Sequence, residues 1–510
     1  MSKFTLTPGE LSLAELRRLG DGGVTVALDA ACHDAIDAAS ATVERIIAGD
    51  VQVYGVNTGV GSLAQTALSR EQTSEMQRRL VLSHAAGTGP LLADGTVRRV
   101  ILLKVNALAQ GFSGIRRSLI EALLSLYNAD VLPCIPSKGS VGASGDLAPL
   151  AHLALSLLGE GEVRCGGETL PAAEGLTRAG LEPITFGAKE ALAMINGTQV
   201  SAALAIDGLF ATESVFAAAV VAGSLSVEAT LGSHTPFDPR ISEARGQAGQ
   251  IDVAAAYAAL LTGSTIVDSH VDCDRVQDPY SLRCQPQVMG ACLDHMRFAA
   301  DIFLREANGV TDNPLVFSNG GDVLSGGNFH AEPVAMAADA LALAIAEIGA
   351  LSERRIALLN DANLSQLPAF LIADPGLNSG FMEAQVVAAA LASENKALAH
   401  PSSVDSIPTS ANQEDHVSMA TYAARRLSTM ADNSAAIVAI ELLAAAQGME
   451  FRRPLKSSEA IERAHAVIRV IVSALDEDRY MAPDIEAAKS LVQSGAFDEF
   501  MPVGLLLSLG

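Results

Sequence analysis

Several residue types and motifs are scarce or missing in this chain of 510 residues. Tryptophan is absent, and aromatic residues make up 4% of the sequence. The six cysteines, at positions 32, 134, 165, 273, 284 and 292, form no Cys-x-x-Cys pair. We interpret them as reduced thiols of a cytoplasmic protein and not as a disulfide framework. No basic stretch offsets the formal net charge of −24, which argues against nucleic acid or an anionic membrane as a partner.

Familiar motifs for cofactor, metal and nucleophile sites are also missing. The ten histidines show no HExxH spacing, and there is neither a GxGxxG after a strand nor a P-loop. Ser144 lies in Gly-Ala-Ser-Gly and not in the GxSxG elbow of hydrolases. The sequence therefore predicts no metal site, no external cofactor and no serine-hydrolase triad.

The apolar segments do not predict membrane insertion. The first seven residues lack the apolar core of a signal peptide. Charged residues interrupt the three most apolar stretches: Asp207 and Glu213 in the first, Glu347 in the second and Glu441 in the third. We therefore predict no membrane-spanning helix.

Apolar residues recur mainly with the period of an α-helix. Residues 331–358 have an apolar face and a charged face, which is typical of an amphipathic helix. Residues 197–231 are apolar nearly all round, which indicates a helix buried on most sides. Residues 381–398 and 416–447 are rich in alanine and contain no proline, so helices there could approach one another closely.

Strand-like runs are few and short, the best being residues 51–54 and 163–170. The sequence therefore predicts a mainly α protein with a long-helix bundle. We expect a mixed, loop-rich part over residues 1–200 and a helical bundle over residues 201–510.

The most informative segment is residues 139–152, which read GSVGASGDLAPLAH. Gly145 has no Cβ, so its amide nitrogen could approach the Ala143 carbonyl carbon in a very tight turn. Ring closure there, with loss of two water molecules, would leave an exocyclic methylene on Ser144. Such a group is a strong electrophile, which none of the twenty side chains supplies. A glycine-rich turn before a helix is the ordinary alternative.

The residues after this tripeptide predict a helix that ends near Gly159. Asp146 is a candidate N-cap, and Pro149 falls in the first turn, where a missing N–H is harmless. The tripeptide would then lie at a helix N-terminus. The positive end of the helix dipole could stabilise charge on the oxygen of the closed ring.

The fourteen-residue run resembles the signature of the ammonia-lyases that carry a 4-methylideneimidazole-5-one (MIO) group. Further segments extend the resemblance from Tyr54 to about residue 484: Tyr54–Gly59, Leu82–His84, Asn196–Gln199, Gln277–Arg283, Gly326–His330 and Asn412–His416. One departure is Val60, where the family usually has phenylalanine. The resemblance implies the long-helix bundle of the fumarase and aspartase type. It also implies a homotetramer whose active sites are made from three subunits.

The resemblance implies the origin of the electrophile and the identity of the base. Ala143, Ser144 and Gly145 would form the MIO group, and Tyr54 would remove the β-proton of the substrate. Glu414 is a further catalytic candidate, which could handle the amine. Whether the electrophile bonds to the amine or to the imidazole ring stays open, and we favour the amine.

Further residues are implied to bind the substrate. Arg283 would pair with its carboxylate, because a guanidinium offers two parallel donors. Tyr280, a further catalytic candidate, would assist Arg283 in carboxylate binding and proton traffic, and Gln277, in the same segment, would bind the substrate. Asn196 would face the MIO group and the carboxylate, and Phe329 would pack beside the ring.

Two positions indicate which substrate the site accepts. In this family Ser83-His84 and an acid at the position of Glu414 are typical of the enzymes that act on histidine. The implied reaction converts L-histidine to trans-urocanate and ammonia, the first step of histidine degradation. The alternatives are a phenylalanine or tyrosine lyase or aminomutase of the family, an aspartase-like lyase with the tripeptide unmodified, and a non-catalytic helical scaffold that binds a small molecule.

Overall fold

The computed structural model describes residues 2–49, 52–59, 70–270 and 275–509. The helices of this part of the chain are α1 (Leu13–Gly20), α2 (His33–Ala48), α3 (Arg70–His84), α4 (Asp94–Leu108), α5 (Arg117–Asn128), α6 (Leu147–Leu157), α7 (Ala172–Arg178), α8 (Glu190–Ile195), α9 (Gln199–Ala229), α10 (Pro239–Arg245), α11 (Ala248–Leu261), α12 (Tyr280–Arg283), α13 (Gln285–Ala307), α14 (Glu332–Asn360), α15 (Ala362–Ser365), α16 (Met382–Leu398), α17 (Ala420–Glu450), α18 (Glu459–Ile471) and α19 (Ala482–Gln493). The prediction of a mainly α protein is confirmed.

The strands are short. They are β1 (Ser2–Leu6), β2 (Val24–Leu28), β3 (Thr88–Leu91), β4 (Leu132–Pro133), β5 (Pro136–Lys138), β6 (Glu162–Cys165), β7 (Glu168–Pro171), β8 (Leu315–Phe317) and β9 (Asp322–Leu324). β1 pairs in parallel with β2. The antiparallel sheets are β3–β5, β4–β6–β7 and β8–β9.

Neither strand prediction matches the structure fully. The run 163–170 is not one strand but the β6–β7 hairpin, because Gly166 and Gly167 turn the chain with φ values of +60° and +84°. Gln52 to Tyr54 are not a strand, since Tyr54 already begins a turn. Val51, like Val60, lies outside the described residues.

The chain divides into two compact units. The first comprises residues 1–207, 300–339 and 401–425, and the second comprises residues 208–299, 340–400 and 426–510. All strands of the described chain belong to the first unit. The expected parts 1–200 and 201–510 stay a prediction.

The long helices follow the predicted periodicity closely. α9 matches the apolar run 197–231, α14 the amphipathic run 331–358 and α16 the run 381–398. α17 begins at Ala420, four residues later than the predicted start. Most residues of α9 are buried, which agrees with a helix that is apolar nearly all round.

Small residues allow close helix contacts in the second unit. A Cβ on Gly208 of α9 would lie 2.5 Å from the Leu427 Cβ of α17, and one on Gly349 of α14 would lie 3.0 Å from the Ser434 hydroxyl of α17. The buried charges between these helices are paired: the Arg355 guanidinium donates to both carboxylate oxygens of Glu441, at 2.5 and 2.8 Å. Alanine, glycine and this ion pair together let three long helices share one core.

Three helices, α9, α14 and α17, are long and apolar enough to span a membrane by length and composition alone. The charged residues therefore leave in each of these helices an apolar window long enough to span a membrane, which the sequence analysis did not predict. The most apolar window of each helix is 89%, 67% and 89% buried inside the protein, respectively. Packing within the protein therefore accounts for most of this apolar surface. The expectation that no helix spans a membrane stays a prediction.

Candidate active site

The tripeptide Ala143-Ser144-Gly145 lies in the turn that precedes α6, as the sequence predicts. Gly145 has φ of +72°, and a Cβ there would lie 2.2 Å from the carbonyl oxygen of Gly197. The next amide, of Asp146, donates to that same carbonyl oxygen at 2.7 Å. Only glycine can therefore occupy position 145 without displacing the backbone of Gly197.

Asp146 does not cap α6, which corrects the sequence prediction. Its backbone is at the N-cap position, but its side chain makes no capping hydrogen bond to α6. The buried carboxylate instead accepts hydrogen bonds from the backbone N–H of Ser201 at 2.7 Å and from the hydroxyls of Ser201 and Thr421 at 2.9 and 2.6 Å. Ser201 is in the first turn of α9, so Asp146 stabilises the N-terminus of a neighbouring helix.

Asn196 holds the middle residue of the tripeptide. Its Nδ2 donates to the Ser144 carbonyl oxygen at 2.7 Å. Its Oδ1 is buried and has no hydrogen-bond partner among the described residues. The Lys104 Nζ stabilises this segment, because it donates to the carbonyl oxygens of Asn196 at 2.7 Å and Ala193 at 3.1 Å. Burial lowers the pKa of Lys104 to about 7.

Glu414 meets the tripeptide from a segment 270 residues away. The Ser144 hydroxyl donates to its Oε1 at 2.6 Å, and the Thr409 hydroxyl donates to its Oε2 at 2.5 Å. Burial favours a higher pKa for this carboxyl, but hydrogen bonds from Ser144, Thr409 and Ser410, together with the charge of His84, lower it. The side chain is therefore a carboxylate at neutral pH.

Glu414 lies in the loop that precedes α17. Ser410, Ala411 and Asn412 have φ values of +52°, +53° and +66°. Three consecutive non-glycine residues in the left-handed region store backbone strain, which is common where a loop presents a functional side chain.

His84 ends α3 with a defined tautomer. Its Nδ1 lies 2.8 Å from the carbonyl oxygen of Leu80. Because a carbonyl oxygen can only accept, we assign the hydrogen to Nδ1, and Nε2 of the neutral ring is then an acceptor. The Ser83 hydroxyl lies 3.0 Å from the same Nδ1 and donates to the Leu80 carbonyl oxygen.

A cavity of about 1540 Å³ in the first unit brings most of the predicted residues together. The predicted residues that line it are Tyr54, His84, Ala143, Ser144, Asn196, Phe329 and Glu414. Gly145 is adjacent in the same turn. The cavity thus combines a carboxylate, an imidazole, an amide, a phenol and a tight glycine turn in one place.

Three predicted residues, Gln277, Tyr280 and Arg283, belong to the second unit and are not among those that line this cavity. Arg283 donates from Nε to the Asp278 carbonyl oxygen at 3.0 Å, and its guanidinium carbon lies 4.6 Å from the centroid of the Tyr280 ring. Tyr280 is 70% exposed. Their roles in carboxylate binding stay predictions.

Several polar residues of the cavity wall have no role predicted from the sequence, among them His330, His416 and Asn313. His330 and His416 line the cavity and fall within segments already matched to the family. Histidine in such a segment is a candidate functional residue, and this was the signal in the sequence that could have identified them. Asn313 also lines it and holds the loop before Phe329, because its Oδ1 accepts from the Gly326 N–H at 2.7 Å. No motif marks Asn313 in the sequence.

The chain belongs to the aromatic amino acid lyase family, whose family model matches residues 11–470. It is therefore an enzyme of the lyase class, and the predicted family is confirmed.

Among its relatives, the histidine ammonia-lyase of Rhodospirillum rubrum is 62% identical over 502 residues, covering 98% of each chain. That of Desulfotalea psychrophila is 60% identical over 507 residues, covering 99% of each chain. The crystal structure of histidine ammonia-lyase from Trypanosoma cruzi matches with a TM-score of 0.90 at 40% identity, covering 99% of this chain and 97% of that one.

Proposed function

We propose that this enzyme is a histidine ammonia-lyase, which converts L-histidine to trans-urocanate and ammonia. The observation that carries the proposal is the convergence of Ser144, Asn196, His84 and Glu414 on one cavity. Support also comes from relatives of that name about 60% identical over nearly the whole chain.

The tripeptide fits an MIO group on its local geometry. Gly145 occupies a turn that admits no side chain. The Ser144 carbonyl oxygen, which the closed ring would retain, already accepts a hydrogen bond from Asn196. A donor at that oxygen draws electron density out of the ring and so favours electrophilic character.

Loss of the Ser144 hydroxyl on dehydration would change the surroundings of Glu414. The hydroxyl is the donor to Oε1, so its removal would leave that oxygen facing the cavity. Thr409 would still hold Oε2. The hydrogen bond at Oε2 would thus keep Glu414 in position, and Oε1 would be available to the substrate.

When formed, the MIO group supplies an electrophilic carbon that makes the amine a better leaving group. In our proposal Tyr54 is the base, and its phenolic oxygen removes the β-proton of histidine. A positioned general base typically contributes about 10²–10⁴ to the rate. Tyr54 lies in the turn of residues 54–56 and lines the cavity.

Two groups are suited to the two nitrogens of the substrate imidazole. The His84 Nε2 in the tautomer assigned above and the Glu414 carboxylate are both acceptors, so together they suit the protonated imidazole ring of histidine, in which both nitrogens carry a hydrogen. A phenyl ring could satisfy neither group, and each polar group left buried and unpaired costs about 1–3 kcal/mol. This difference is our physical basis for histidine over phenylalanine or tyrosine.

The remaining substrate groups have proposed partners as well. The unpartnered Oδ1 of Asn196 is suited to accept an N–H of the amino group. We assign the carboxylate to Arg283, assisted by Gln277 and Tyr280, on the resemblance to the family. Phe329 would pack beside the imidazole ring.

We also propose a cytoplasmic homotetramer. Apolar side chains on the long helices support association, because Met336 and Leu343 of α14 and Val386 of α16 are 59%, 49% and 51% exposed. Light scattering coupled to size-exclusion chromatography should give four chains, and a monomer would contradict this part of the proposal.

Substrate preference tests the proposed function directly. We expect kcat/KM of the wild type to be far higher for histidine than for phenylalanine or tyrosine. The double variant His84→Phe/Glu414→Gln should lose histidine activity, and its preference should shift toward the aromatic amino acids. His295→Phe, at an exposed histidine of the second unit, is the matched control and should keep the wild-type preference.

Comparable wild-type values for histidine and phenylalanine would contradict the assignment and support an aromatic lyase or aminomutase. No product from any of the three amino acids, in a folded protein, would support the non-catalytic scaffold.

A further inference from the structure

Three potential metal ligands, His330, Glu332 and His416, lie close together, and the two histidines line the cavity. Their ligand atoms all lie within 4.8 Å of one another. His330 ends the loop that carries Phe329, Glu332 is the first residue of α14, and His416 ends the segment that carries Glu414. The chain thus brings two imidazoles and one carboxylate together from segments that are 84 residues apart.

The separation of the two imidazoles suits a shared metal ion. The His330 Nε2 lies 3.3 Å from the His416 Nδ1. Two nitrogens that each bind one Zn²⁺ at about 2.0–2.1 Å, with a tetrahedral angle between them, are about 3.4 Å apart. The two nitrogens are therefore already at the separation that one shared ion requires.

The carboxylate supplies an independent reason for a cation. The Glu332 Oε2 is buried and has no hydrogen-bond partner among the described residues. A buried, unpaired acceptor is costly, and more so when it is charged. A metal ion bound between the imidazoles would give this carboxylate a partner, because its ligand atom lies within 4.8 Å of both imidazole ligand atoms.

A hydrogen bond between the histidines is the competing explanation. The His330 Nε2 also lies 3.3 Å from the His416 carbonyl oxygen, so an N–H there could donate to either acceptor. This arrangement explains the imidazole separation without a metal. It leaves the Glu332 Oε2 unpaired, however, and so accounts for fewer of the observations.

We propose that His330, Glu332 and His416 bind one divalent first-row transition-metal ion. Two imidazoles and a carboxylate favour Zn²⁺ and its neighbours over Ca²⁺ or Mg²⁺, which prefer oxygen ligands. Three protein ligands leave at least one coordination position, and His330 and His416 line the cavity. The ion would join the loop of Phe329 to the segment of Glu414. The proposal does not depend on which substrate the enzyme uses.

Metal binding by the full-length enzyme tests the proposal. Protein stripped with a chelator and dialysed should bind one Zn²⁺ per chain in calorimetric titrations with ZnCl₂. Loss of a ligand should weaken that site by at least about 100-fold, since even loss of an outer-shell partner costs about 10–100-fold. We expect this loss in His330→Ala, His416→Ala and Glu332→Gln. His295→Ala, at an exposed histidine, is the control and should bind as the wild type does.

Co²⁺ gives a readout that does not rely on activity or on affinity alone. Visible d–d absorption bands should appear with the wild type and be weakened or lost in Glu332→Gln. This variant preserves the size of the side chain, so it decides the question if a histidine variant does not fold. Absence of a one-to-one site in the wild type would overturn the proposal, as would unchanged binding in Glu332→Gln.

Discussion

Two glutamates with hydroxyl partners, one in each unit, show how differently the protein uses a carboxylate. Glu441 of α17 is completely buried and accepts from Arg355 and from the hydroxyls of Ser226 and Ser352, at 2.7 and 2.6 Å. Glu414 accepts from two hydroxyls and lines an open cavity. The first carboxylate is neutralised by a buried guanidinium. The second keeps its charge available to a ligand.

This contrast teaches which changes should affect stability and which should affect chemistry. Replacements in the Arg355–Glu441 pair should destabilise the fold and spare the intrinsic reaction. Replacements at the cavity should do the opposite. Variants at the two sites should therefore have separable effects, the largest of them at the cavity.

At the cavity, Tyr54→Phe should reduce kcat by about 10²–10⁴ and change KM little. In our proposal the hydroxyl takes part in proton transfer and does not hold the ligand. Steady-state kinetics with histidine measures the effect, and circular dichroism with a denaturant midpoint should show an unchanged fold. A rate within about tenfold of the wild type would mean that Tyr54 is not the base.

In the second unit, Glu441→Gln should lower the free energy of unfolding by about 3–5 kcal/mol, because it leaves the Arg355 charge buried without its partner. Denaturant unfolding at neutral pH measures the loss. Glu174→Gln, in an exposed pair with Arg178, should leave the midpoint unchanged. Equal midpoints for the wild type and Glu441→Gln would remove the distinction between the two carboxylates.

Lys104 is a second buried basic residue, and it differs from Arg355 in its partners. Its Nζ donates to two carbonyl oxygens, whereas the Arg355 guanidinium is paired with a carboxylate. The folded-state pKa of Lys104 is about 7, against about 10.4 in an unfolded chain. Between these values the unfolded state holds more protons, so the free energy of unfolding should rise with pH. Below pH 7 Lys104 is protonated in both states, so it no longer makes the free energy of unfolding depend on pH.

The expected increase from pH 7 to pH 9 is about 2 kcal/mol from this one lysine. Unfolding curves at the two pH values should show it in the wild type. Lys104→Met should lose this pH dependence, and Lys396→Met, at an exposed lysine of α16, should keep it. The same slope in Lys104→Met and the wild type would contradict the assignment.

Local patterns predicted the helices well, because helical periodicity is a property of neighbouring residues. The α9, α14 and α16 boundaries each fall within two residues of the expected ones. The predictions that were wrong concern residues whose conformation depends on a turn or on a partner far away in the sequence. Gly166 and Gly167 convert one apparent strand into a hairpin. Asp146 is drawn from its own helix to Ser201 and Thr421.

The cavity itself could not be built from local patterns. Ser144 and Glu414 are 270 residues apart and yet hydrogen-bonded, and periodicity carries no information about that pairing. The family resemblance predicted both residues. It did not predict the tautomer of His84, the buried Lys104 beneath Asn196, or the meeting of His330 with His416. Those features depend on packing between segments.

The mass of the intact chain tests the central claim most directly. If Ala143-Ser144-Gly145 closes into the MIO electrophile, the mature wild type should weigh two water molecules less than its sequence. The peptide containing residues 139–152 should carry the whole difference. Ser144→Ala should have its full calculated mass, the same helix content and almost no activity. An active wild-type enzyme whose peptide 139–152 has the unmodified mass would contradict the account.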